Sequence, residues 1–332
     1  MSAKHTLLLG VSDSSNRKEF LAEKLTTDWE ILTCNPRAEA DEYLRLLGQA
    51  DALVGGGGST NFPAETSIKL MQIPFTGYDW ISPDQLPRDV IFCNTHEHEP
   101  TIAEHVLLGM LEWQIGLMRE SHPMMVKKSY NHRSINNGPH HREMLGQTVG
   151  IVGYGHIGRE IARRCKGFGM RVMALSRTKR DEPDLVDWYG TVDQLDTLLA
   201  ESDFVIVCAP LDDNTRGMID GAAFAKMKPD AIIANVGRGE VIDEAALYDA
   251  LASKRIRGGI IDVWYVYPSK EDANPWPSRF PFQQLDNVIM SPHNSAWTEA
   301  MSERRWSFVA TNLDRFARGE ELENFCFTGT RD

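Results

Sequence analysis

The stretch Gln147-Thr148-Val149-Gly150-Ile151-Val152-Gly153-Tyr154-Gly155-His156-Ile157-Gly158 decides the fold of this chain. An apolar run ends there in a glycine-rich turn, and an amphipathic pattern follows at once, which predicts a strand, a tight turn and a helix. We expect Gly153 to permit the turn, Gly155 to let the backbone approach a pyrophosphate, and Gly158 to allow close packing of helix on strand. Because a helix N-terminus offers N–H groups to phosphates, the stretch favours a dinucleotide site over a plain strand-to-helix turn.

The length and composition are those of a two-domain globular protein. The chain has 332 residues, of which 42% are hydrophobic and 25% charged. A net charge of −12 argues against nucleic acid or an anionic membrane as the main partner. No apolar run reaches the length of a membrane span, and we expect no signal peptide. The five cysteines show no paired spacing, so we predict a reduced, cytoplasmic protein.

The same alternation of strand and helix patterns runs along most of the chain. The first 100 residues alternate short apolar runs with helical patterns, and a long apolar helix is predicted from Ile102 to about Met118. The alternation restarts at Thr148, and a closing helix is predicted over residues 297–317. This pattern predicts an α/β protein with mostly parallel sheets.

Several polar residues follow predicted strands, at the end of a doubly wound sheet where ligands bind. Arg238, Asp262 and His293 each stand just beyond an apolar run, and Cys208-Ala209-Pro210 ends another. Taken singly, these three have ordinary interpretations as a surface charge, a cap and a loop histidine. Together, in this order after the glycine turn, they favour a functional site.

At this point the sequence resembles the D-isomer-specific 2-hydroxyacid dehydrogenase family. The resemblance is dense from Leu145 to His293 and looser upstream, where Thr76-Gly77-Tyr78-Asp79 is similar to the family's substrate loop and Ala103-Glu104-His105 to the start of its crossover helix. The dense part comprises the glycine turn, Phe168-Gly169-Met170, Thr215-Arg216-Gly217, Lys226-Met227-Lys228-Pro229, Asn235 to Glu240, Asp243 to Leu247, Asp262-Val263 and Ser291-Pro292-His293.

The resemblance implies a particular architecture, namely two doubly wound α/β domains. A Rossmann-type NAD(P)-binding domain, residues 102–297, is inserted into a flavodoxin-like substrate domain made of residues 1–101 and 298–332. Catalysis is expected in the cleft between the domains of a homodimer, with a small 2-oxoacid or 2-hydroxy acid as substrate.

The resemblance also implies roles for individual residues. Arg238 would grip the substrate carboxylate and polarise the carbonyl, and His293 would be the acid/base. The backbone near Thr76 and Gly77 would hold the substrate. Gly57 is a further substrate-binding candidate from the residues themselves, because the N–H groups of Gly55-Gly56-Gly57-Gly58 could hold an anion; the alternative for this run is a flexible loop. The cofactor-binding residues would be Tyr154, Gly155, His156, Ile157, Ser176, Arg177, Thr178, Cys208, Ala209, Pro210, Val236, Gly237, Arg238 and Asp262, with Asp262 at the nicotinamide carboxamide.

One position departs from the family pattern. Where the family has a Glu that pairs with the histidine, this chain has Tyr267. A neutral phenol offers a hydrogen bond but no charge, so we predict that His293 titrates lower than in relatives with the Glu, and that 2-oxoacid reduction falls off from a lower pH. Glu271 or Asp272 are alternative sources of the missing charge.

The end of the second strand of the nucleotide domain bears on the choice of cofactor. NAD-specific relatives have an acidic residue there, whereas this chain has Ser176 followed by Arg177-Thr178-Lys179-Arg180. No carboxylate is present to repel a 2′-phosphate, so we predict NADP as the preferred cofactor, with NAD as the alternative. The ordinary interpretation is a solvated basic turn.

Other functions remain open from the sequence. The chain is also similar to the formate dehydrogenase branch at three places, namely Asp262-Val263-Trp264-Tyr265, Asn94 and Pro275-Trp276. The segment from Asn94 to Pro100 departs from that branch. A dinucleotide-sensing protein without activity is a further alternative. His96-Glu97-His98-Glu99 and His105 invite a metal site, but Pro100 interrupts them and no Cys lies at ligand spacing, so we predict no metal.

Overall fold

The computed structural model describes residues 4–56, 62–63, 66–130, 140–178 and 182–331. Gly57, a predicted substrate-binding residue, lies outside this set, as do Lys179 and Arg180. The chain divides into two compact units, one made of Met1–His98 and Thr298–Asp332 and the other of Glu99–Trp297. The substrate and nucleotide roles of such units, and the boundaries given above, remain predictions.

The described residues form thirteen strands and nine α-helices. The strands are β1 His5–Gly10, β2 Trp29–Thr33, β3 Ala52–Gly55, β4 Leu70–Gln72, β5 Ile91–Cys93, β6 Thr148–Val152, β7 Arg171–Leu175, β8 Trp188–Gly190, β9 Phe204–Val207, β10 Ile232–Asn235, β11 Gly258–Ile261, β12 Val288–Met290 and β13 Phe325–Thr328. The helices are α1 Ser14–Lys24, α2 Ala40–Leu47, α3 Glu99–Ile115, α4 His122–Val126, α5 His156–Gly167, α6 Leu195–Glu201, α7 Gly221–Lys226, α8 Glu244–Ala252 and α9 Glu299–Arg318. Short 3₁₀ turns occur at Pro83–Gln85, Val192–Gln194, Gly239–Val241 and Phe282–Gln284, and a π turn at Leu117–Ser121.

The first unit is built on a six-stranded sheet of order β2-β1-β3-β4-β5-β13. All neighbours pair in parallel except β13, which runs antiparallel to β5 at one edge. Successive residues Leu7, Leu8 and Leu9 of β1 are all fully buried, as expected for a strand that helices cover on both faces. The order of the five parallel strands is the flavodoxin-like one.

Helix α9 ties the later segment of the chain into this first unit. Its Trp306, Val309 and Leu313 are buried in one cluster with apolar residues of β1. The buried Asp314 carboxylate accepts the backbone N–H of Thr26 at 2.9 Å and that of Thr27 at 3.0 Å, together with both hydroxyls. Hydrogen bonds to a charged acceptor are among the stronger ones in a protein, so Asp314 fixes the turn before β2.

The second unit is built on a seven-stranded, fully parallel sheet of order β8-β7-β6-β9-β10-β11-β12. This is the Rossmann order with one further strand, and the order reverses between β6 and β9. Helix α5 begins at that reversal, directly after the glycine turn. The predicted class of two doubly wound α/β domains is confirmed.

The structure differs from the sequence prediction at three elements. Helix α3 ends at Ile115 instead of near Met118, because Gly116 adopts a left-handed conformation with φ of 67°. Strands β8 and β13 were not predicted. Both are short, and pairing with a distant strand stabilises them more than local pattern does.

Candidate active site

The glycine turn has the geometry predicted for it at two of its three glycines. Gly153 has φ of 98°, and a Cβ there would lie 2.4 Å from the backbone nitrogen of Ala209. A Cβ on Gly158 would lie 2.9 Å from the carbonyl oxygen of Gly153 and 3.0 Å from Ile151. Only glycine therefore fits the turn and the close approach of α5 to β6, and both predicted roles are confirmed.

Gly155 is the N-cap of α5, and the space beside its Cα is open to 4 Å. The first turn of α5, which starts at His156 and Ile157, presents N–H groups that have no acceptor within the helix itself. Positive partial charge and open space coincide here. The turn therefore fits the pyrophosphate of a dinucleotide.

Tyr154 was predicted to bind the cofactor, but its side chain turns into the core. It is 1% exposed, and its hydroxyl donates to Glu182 at 2.8 Å. Its backbone N–H donates to the carbonyl of Leu175 at 2.9 Å. Neither donor of Tyr154 is open to a phosphate.

The end of β7 carries the residues on which the cofactor prediction depends. Ser176 follows Leu175, the last residue of the strand, as predicted. Its hydroxyl donates to the carbonyl of Thr178 at 2.6 Å and lies 2.7 Å from the hydroxyl of Tyr189. The Arg177 side chain is 75% exposed, and its guanidinium lies 3.6 Å from the Asp212 carboxylate. Sequence reasoning missed Tyr189 and Asp212, because their contacts with this turn arise only from the order of the strands.

Cys208 and Gly237 bring the ends of β9 and β10 against the glycine turn. The Cys208 thiol donates to the carbonyl of Gly153 at 3.0 Å, and burial raises its pKa to about 12. A Cβ on Gly237 would lie 2.7 Å from the carbonyl oxygen of Ala209. Ala209 and Val236 are both buried, and the backbone nitrogen of Ala209 lies against Gly153. Pro210 follows and is exposed.

Arg238 leaves β10 in a turn that Asn235 holds. The Asn235 side chain donates to the carbonyl of Arg238 at 2.9 Å and accepts the N–H of Gly237 at 3.2 Å. The half-buried Arg238 side chain donates to the carbonyl of Gly237 at 2.9 Å. Asn235 thus fixes the direction in which the guanidinium leaves the sheet, a role that sequence reasoning did not assign.

Asp262 organises the loop that carries His293. Its 1% exposed carboxylate accepts the hydroxyl of Ser291 at 2.6 Å, the N–H of Asn294 at 3.0 Å, and both the N–H (3.2 Å) and the hydroxyl of Ser295. Burial opposes ionisation, but these hydrogen bonds outweigh it and hold the pKa of Asp262 below its usual value. The carboxylate therefore binds this loop on both of its oxygens. A nicotinamide carboxamide, the contact predicted for Asp262, would therefore have to bind a carboxylate oxygen that already accepts two hydrogen bonds from the loop.

His293 sits at the centre of that loop in a left-handed conformation, with φ of 59°. This conformation is rare outside glycine and persists only where the surroundings impose it, as at functional sites. Desolvation and the positive charge of Arg238 lower the pKa of His293, while Asp262 opposes them. That His293 titrates lower than in relatives with the Glu stays a prediction.

Tyr267 occupies the place beside His293 that the sequence comparison assigned to it. Its hydroxyl lies 3.0 Å from Nδ1 of His293 and accepts the backbone N–H of Trp264 at 3.0 Å. The alternative carboxylates do not replace the missing Glu. Glu271 accepts the hydroxyl of Ser269, and neither it nor Asp272 is among the charges that act on His293.

In the first unit, hydrogen bonds hold the predicted substrate loop, Thr76-Gly77-Tyr78-Asp79, at Thr76. Thr76 donates its hydroxyl to the carbonyl of Thr95 at 2.7 Å, and Asn94 donates to the carbonyl of Thr76 at 2.9 Å. A ring nitrogen of His98 lies 3.2 Å from the Thr76 hydroxyl. Among the described residues, the backbone N–H groups of Thr76 and Gly77 have no acceptor. They are therefore available to a carboxylate.

Comparison with known proteins identifies the family. Residues 114–295 match the model of the D-isomer specific 2-hydroxyacid dehydrogenase, NAD binding domain. A hydroxypyruvate reductase of Thermotoga maritima is 32% identical over 283 residues, which are 83% of this chain and 87% of that protein. The chain therefore belongs to the D-isomer specific 2-hydroxyacid dehydrogenase family.

Two further matches describe the range of the similarity. A glyoxylate reductase of Thermococcus onnurineus is 40% identical over 178 residues, 54% of this chain and 51% of that protein, so the chain spans about half the length of that relative. The structure of a D-isomer specific 2-hydroxyacid dehydrogenase family protein from Aeromonas salmonicida has a TM-score of 0.83 over 98% of this chain and 99% of that chain. At 24% identity, this likeness concerns the fold. Among the described residues, no helix is long and apolar enough to cross a membrane.

Proposed function

We propose that this protein is an NADP-preferring oxidoreductase that interconverts a 2-oxoacid and a D-2-hydroxy acid. The observation that carries the proposal is the hydrogen-bonded pair formed by His293 and Tyr267. The buried Asp262 carboxylate holds the loop that carries His293, and the positive charge of Arg238 acts on the imidazole. The names of the relatives, glyoxylate reductase and hydroxypyruvate reductase, favour a small 2-oxoacid.

The residues of this chain supply binding and proton transfer. A bound nicotinamide supplies the hydride in reduction and accepts it in oxidation. Arg238 binds the substrate carboxylate and carbonyl through its planar guanidinium, which stabilises negative charge on the carbonyl oxygen as it forms. His293 gives that oxygen a proton in reduction and takes one from the alcohol in oxidation. In the first unit, we assign carboxylate binding to the N–H groups of Thr76 and Gly77, which have no acceptor among the described residues, and this assignment makes the first unit the substrate domain.

The preference for NADP rests on the end of β7. No carboxylate directly follows the strand, and the exposed Arg177 guanidinium and the Ser176 hydroxyl are the groups to which we assign the 2′-phosphate. Michaelis constants for NADPH and NADH should favour NADPH, and Arg177→Asp should reverse the order. Equal or better use of NADH by the native chain would contradict the preference. Asp212→Asn removes the competing carboxylate and should tighten NADPH binding.

A homodimer is supported by exposed apolar side chains along one continuous segment of the second unit. Leu108, Met118, Val126 and Tyr130 are 68%, 62%, 69% and 63% exposed. Large exposed apolar patches are rare in monomeric soluble proteins and mark interaction sites. We place this segment in the interface of two copies, and the protein in the cytoplasm, where its five free cysteines stay reduced.

The decisive experiment follows NADPH consumption with glyoxylate, hydroxypyruvate and aromatic 2-oxoacids, together with NADP⁺ reduction by formate. We expect turnover of at least one 2-oxoacid and its loss in His293→Ala. Tight NADPH binding without turnover would favour a dinucleotide sensor, and turnover of formate alone would favour the formate dehydrogenase branch.

A further inference from the structure

In the first unit, the two peptide groups on either side of Thr76 point in the same direction. The carbonyl of Phe75 accepts the N–H of Thr95 at 3.1 Å, and the carbonyl of Thr76 accepts the side-chain amide of Asn94 at 2.9 Å. Both peptide bonds are trans, so in each of them the N–H points away from the C=O. The N–H groups of Thr76 and Gly77 therefore both point away from the donor segment, Asn94-Thr95. Successive N–H groups on one side make a concave site for an anion.

Gln72, the last residue of β4, holds the donor segment. Its fully buried side chain places Nε2 2.9 Å from the carbonyl oxygen of Asn94, 3.0 Å from the hydroxyl oxygen of Thr95 and 3.2 Å from the carbonyl oxygen of Ile73. In a regular parallel ladder the N–H of Thr95 would donate to Ile73, but here it donates to Phe75. The Gln72 amide therefore binds the oxygens at the point where the ladder between β4 and β5 ends.

Backbone groups fix the orientation of the Gln72 amide. The carbonyls of Asn94 and Ile73 are acceptors only, so the NH₂ group of Gln72 must face them. The other atom of the amide, Oε1, accepts the side-chain N–H of Asn312 in α9 at 2.6 Å. The Asn312 amide is oriented in turn by Glu323, whose backbone N–H donates to Oδ1 at 2.9 Å and whose carbonyl accepts from Nδ2 at 3.2 Å. Both amides therefore have a single assignment, and Gln72 is the donor toward the loop.

We propose that Gln72 is a positioning residue for the 2-oxoacid substrate. It holds the donor segment so that the N–H groups of Thr76 and Gly77 point together at the substrate carboxylate. This inference deepens the proposed function and rests on it for the identity of the anion. Without the NH₂ group of Gln72, the buried Asn94 carbonyl loses its only donor among the described residues. An unpaired buried acceptor is costly, so Asn94 moves and the peptide groups beside Thr76 lose their common direction.

The positioning role predicts a change in KM without a change in kcat. A carboxylate bound equally in the ground state and the transition state affects KM alone. Gln72→Met removes the amide at similar side-chain length. We expect KM for the 2-oxoacid to rise about tenfold or more, the contribution of one hydrogen bond to a charged group, and kcat to stay within about twofold. If Gln72→Met does not fold, Gln72→Glu takes its place with the same expectation, because it keeps the shape and an acceptor for Asn312 but not the NH₂ group.

The matched control is Asn312→Leu, which has the same number of side-chain heavy atoms as the native residue. It removes the bond to Oε1 of Gln72 and both bonds to Glu323, but it leaves the NH₂ group of Gln72 on the donor segment. It should lower the urea midpoint of unfolding at least as much as Gln72→Met does and leave KM unchanged. A KM raised equally in both variants would reduce Gln72 to a structural role and overturn the proposal.

Carboxylate binding is also tested without turnover, by NMR of the full chain with NADP⁺ present. Labelling with carbonyl-¹³C threonine and ¹⁵N glycine selects the glycines that follow a threonine, which in this chain are Gly77 and Gly329. Gly329 is an internal control, because its N–H already donates to the carbonyl of Val90 at 2.8 Å. Oxalate should shift the Gly77 signal to saturation and leave the Gly329 signal in place. In Gln72→Met the dissociation constant for oxalate should rise about tenfold or more, and in Asn312→Leu it should not.

The outcomes separate this inference from the proposed function. A Gly77 signal that oxalate leaves unchanged in the native chain, or that saturates at the same oxalate concentration in Gln72→Met, would overturn the positioning role. If oxalate bound in the expected way but no 2-oxoacid turned over, the proposed function would fail while the role of Gln72 in carboxylate binding would stand.

Discussion

The dependence of the His293 loop on Asp262 gives the sharpest prediction about stability. In Asp262→Asn, an NH₂ group replaces one carboxylate oxygen at almost unchanged volume. Whichever oxygen is lost, two of the four hydrogen bonds to the loop lose their acceptor, and a backbone N–H of Asn294 or Ser295 then faces another donor. The change therefore removes interactions without creating a cavity.

The expected magnitude follows from these contacts. A hydrogen bond to a charged group contributes about 1.5–3 kcal/mol. Two such bonds from a site that is 1% exposed imply a loss of about 3 kcal/mol or more in the free energy of unfolding. Without the hydrogen bonds to Asp262, the loop no longer holds His293 at φ of 59°. We therefore expect kcat to fall on the order of 100-fold, which is the usual contribution of a correctly positioned acid/base group.

The assays are urea unfolding followed by tryptophan fluorescence, and steady-state 2-oxoacid reduction. The matched control is Asp286→Asn, because Asp286 is 78% exposed and pairs with Lys254 at 3.3 Å on the surface. A surface pair of this kind should be worth less than about 1 kcal/mol. If Asp262→Asn unfolded at the same urea concentration as the control and kept kcat within about twofold, the loop would not depend on Asp262.

Three further outcomes are expected. Burial raises the pKa of Asp314, but its hydrogen bonds outweigh burial and lower it, so Asp314 stabilises the fold fully above the usual carboxyl pKa and loses this effect as the pH falls below that value. Asp314→Asn should therefore flatten the acid limb of a plot of melting temperature against pH. An acid limb unchanged in Asp314→Asn would contradict this. Gly153→Ala should lower the free energy of unfolding by about 2 kcal/mol or more, because φ is 98° and a Cβ would lie 2.4 Å from a backbone nitrogen. Gly155→Ala should melt like the native chain, because the space beside this Cα is open, but titration calorimetry should show NADPH binding weakened at least about tenfold. Leu108→Glu should halve the mass measured by light scattering, whereas the control Val192→Glu, at another exposed apolar residue, should keep the native mass. If Leu108→Glu also kept the native mass, Leu108 would not lie in an interface.

Local sequence was sufficient for those parts of the fold that short-range sterics decide. The positive φ of Gly153 and the close approach at Gly158 follow from spacing within one turn, and the structure has both. The edge strand β13 could not be read in the same way, because its pairing with β5 joins residues more than 200 positions apart. Its order in the sheet is a property of the assembled unit.

The candidate site divides along the same line. The strand-end positions of Arg238 and His293 follow from periodicity, since parallel strands end at one edge of a sheet. The inward turn of Tyr154 toward Glu182, the approach of Arg177 to Asp212 and the grip of Asp262 on its loop do not. Each joins residues at least 28 apart in the chain, and only packing selects them.

The composition of the first unit affects how this protein is made. Residues 99–297 form a contiguous second unit, whereas the first unit needs residues 298–331 to supply α9 and β13. At about 5–20 residues per second, a ribosome takes roughly 10–40 s to make residues 99–297 and roughly 2–7 s to add residues 298–331. During both intervals the nascent chain holds Leu7 and Leu9 without the helix that covers them. Protection of these side chains by a chaperone is therefore needed until residues 298–331 have been added, and the first unit completes its fold after the second.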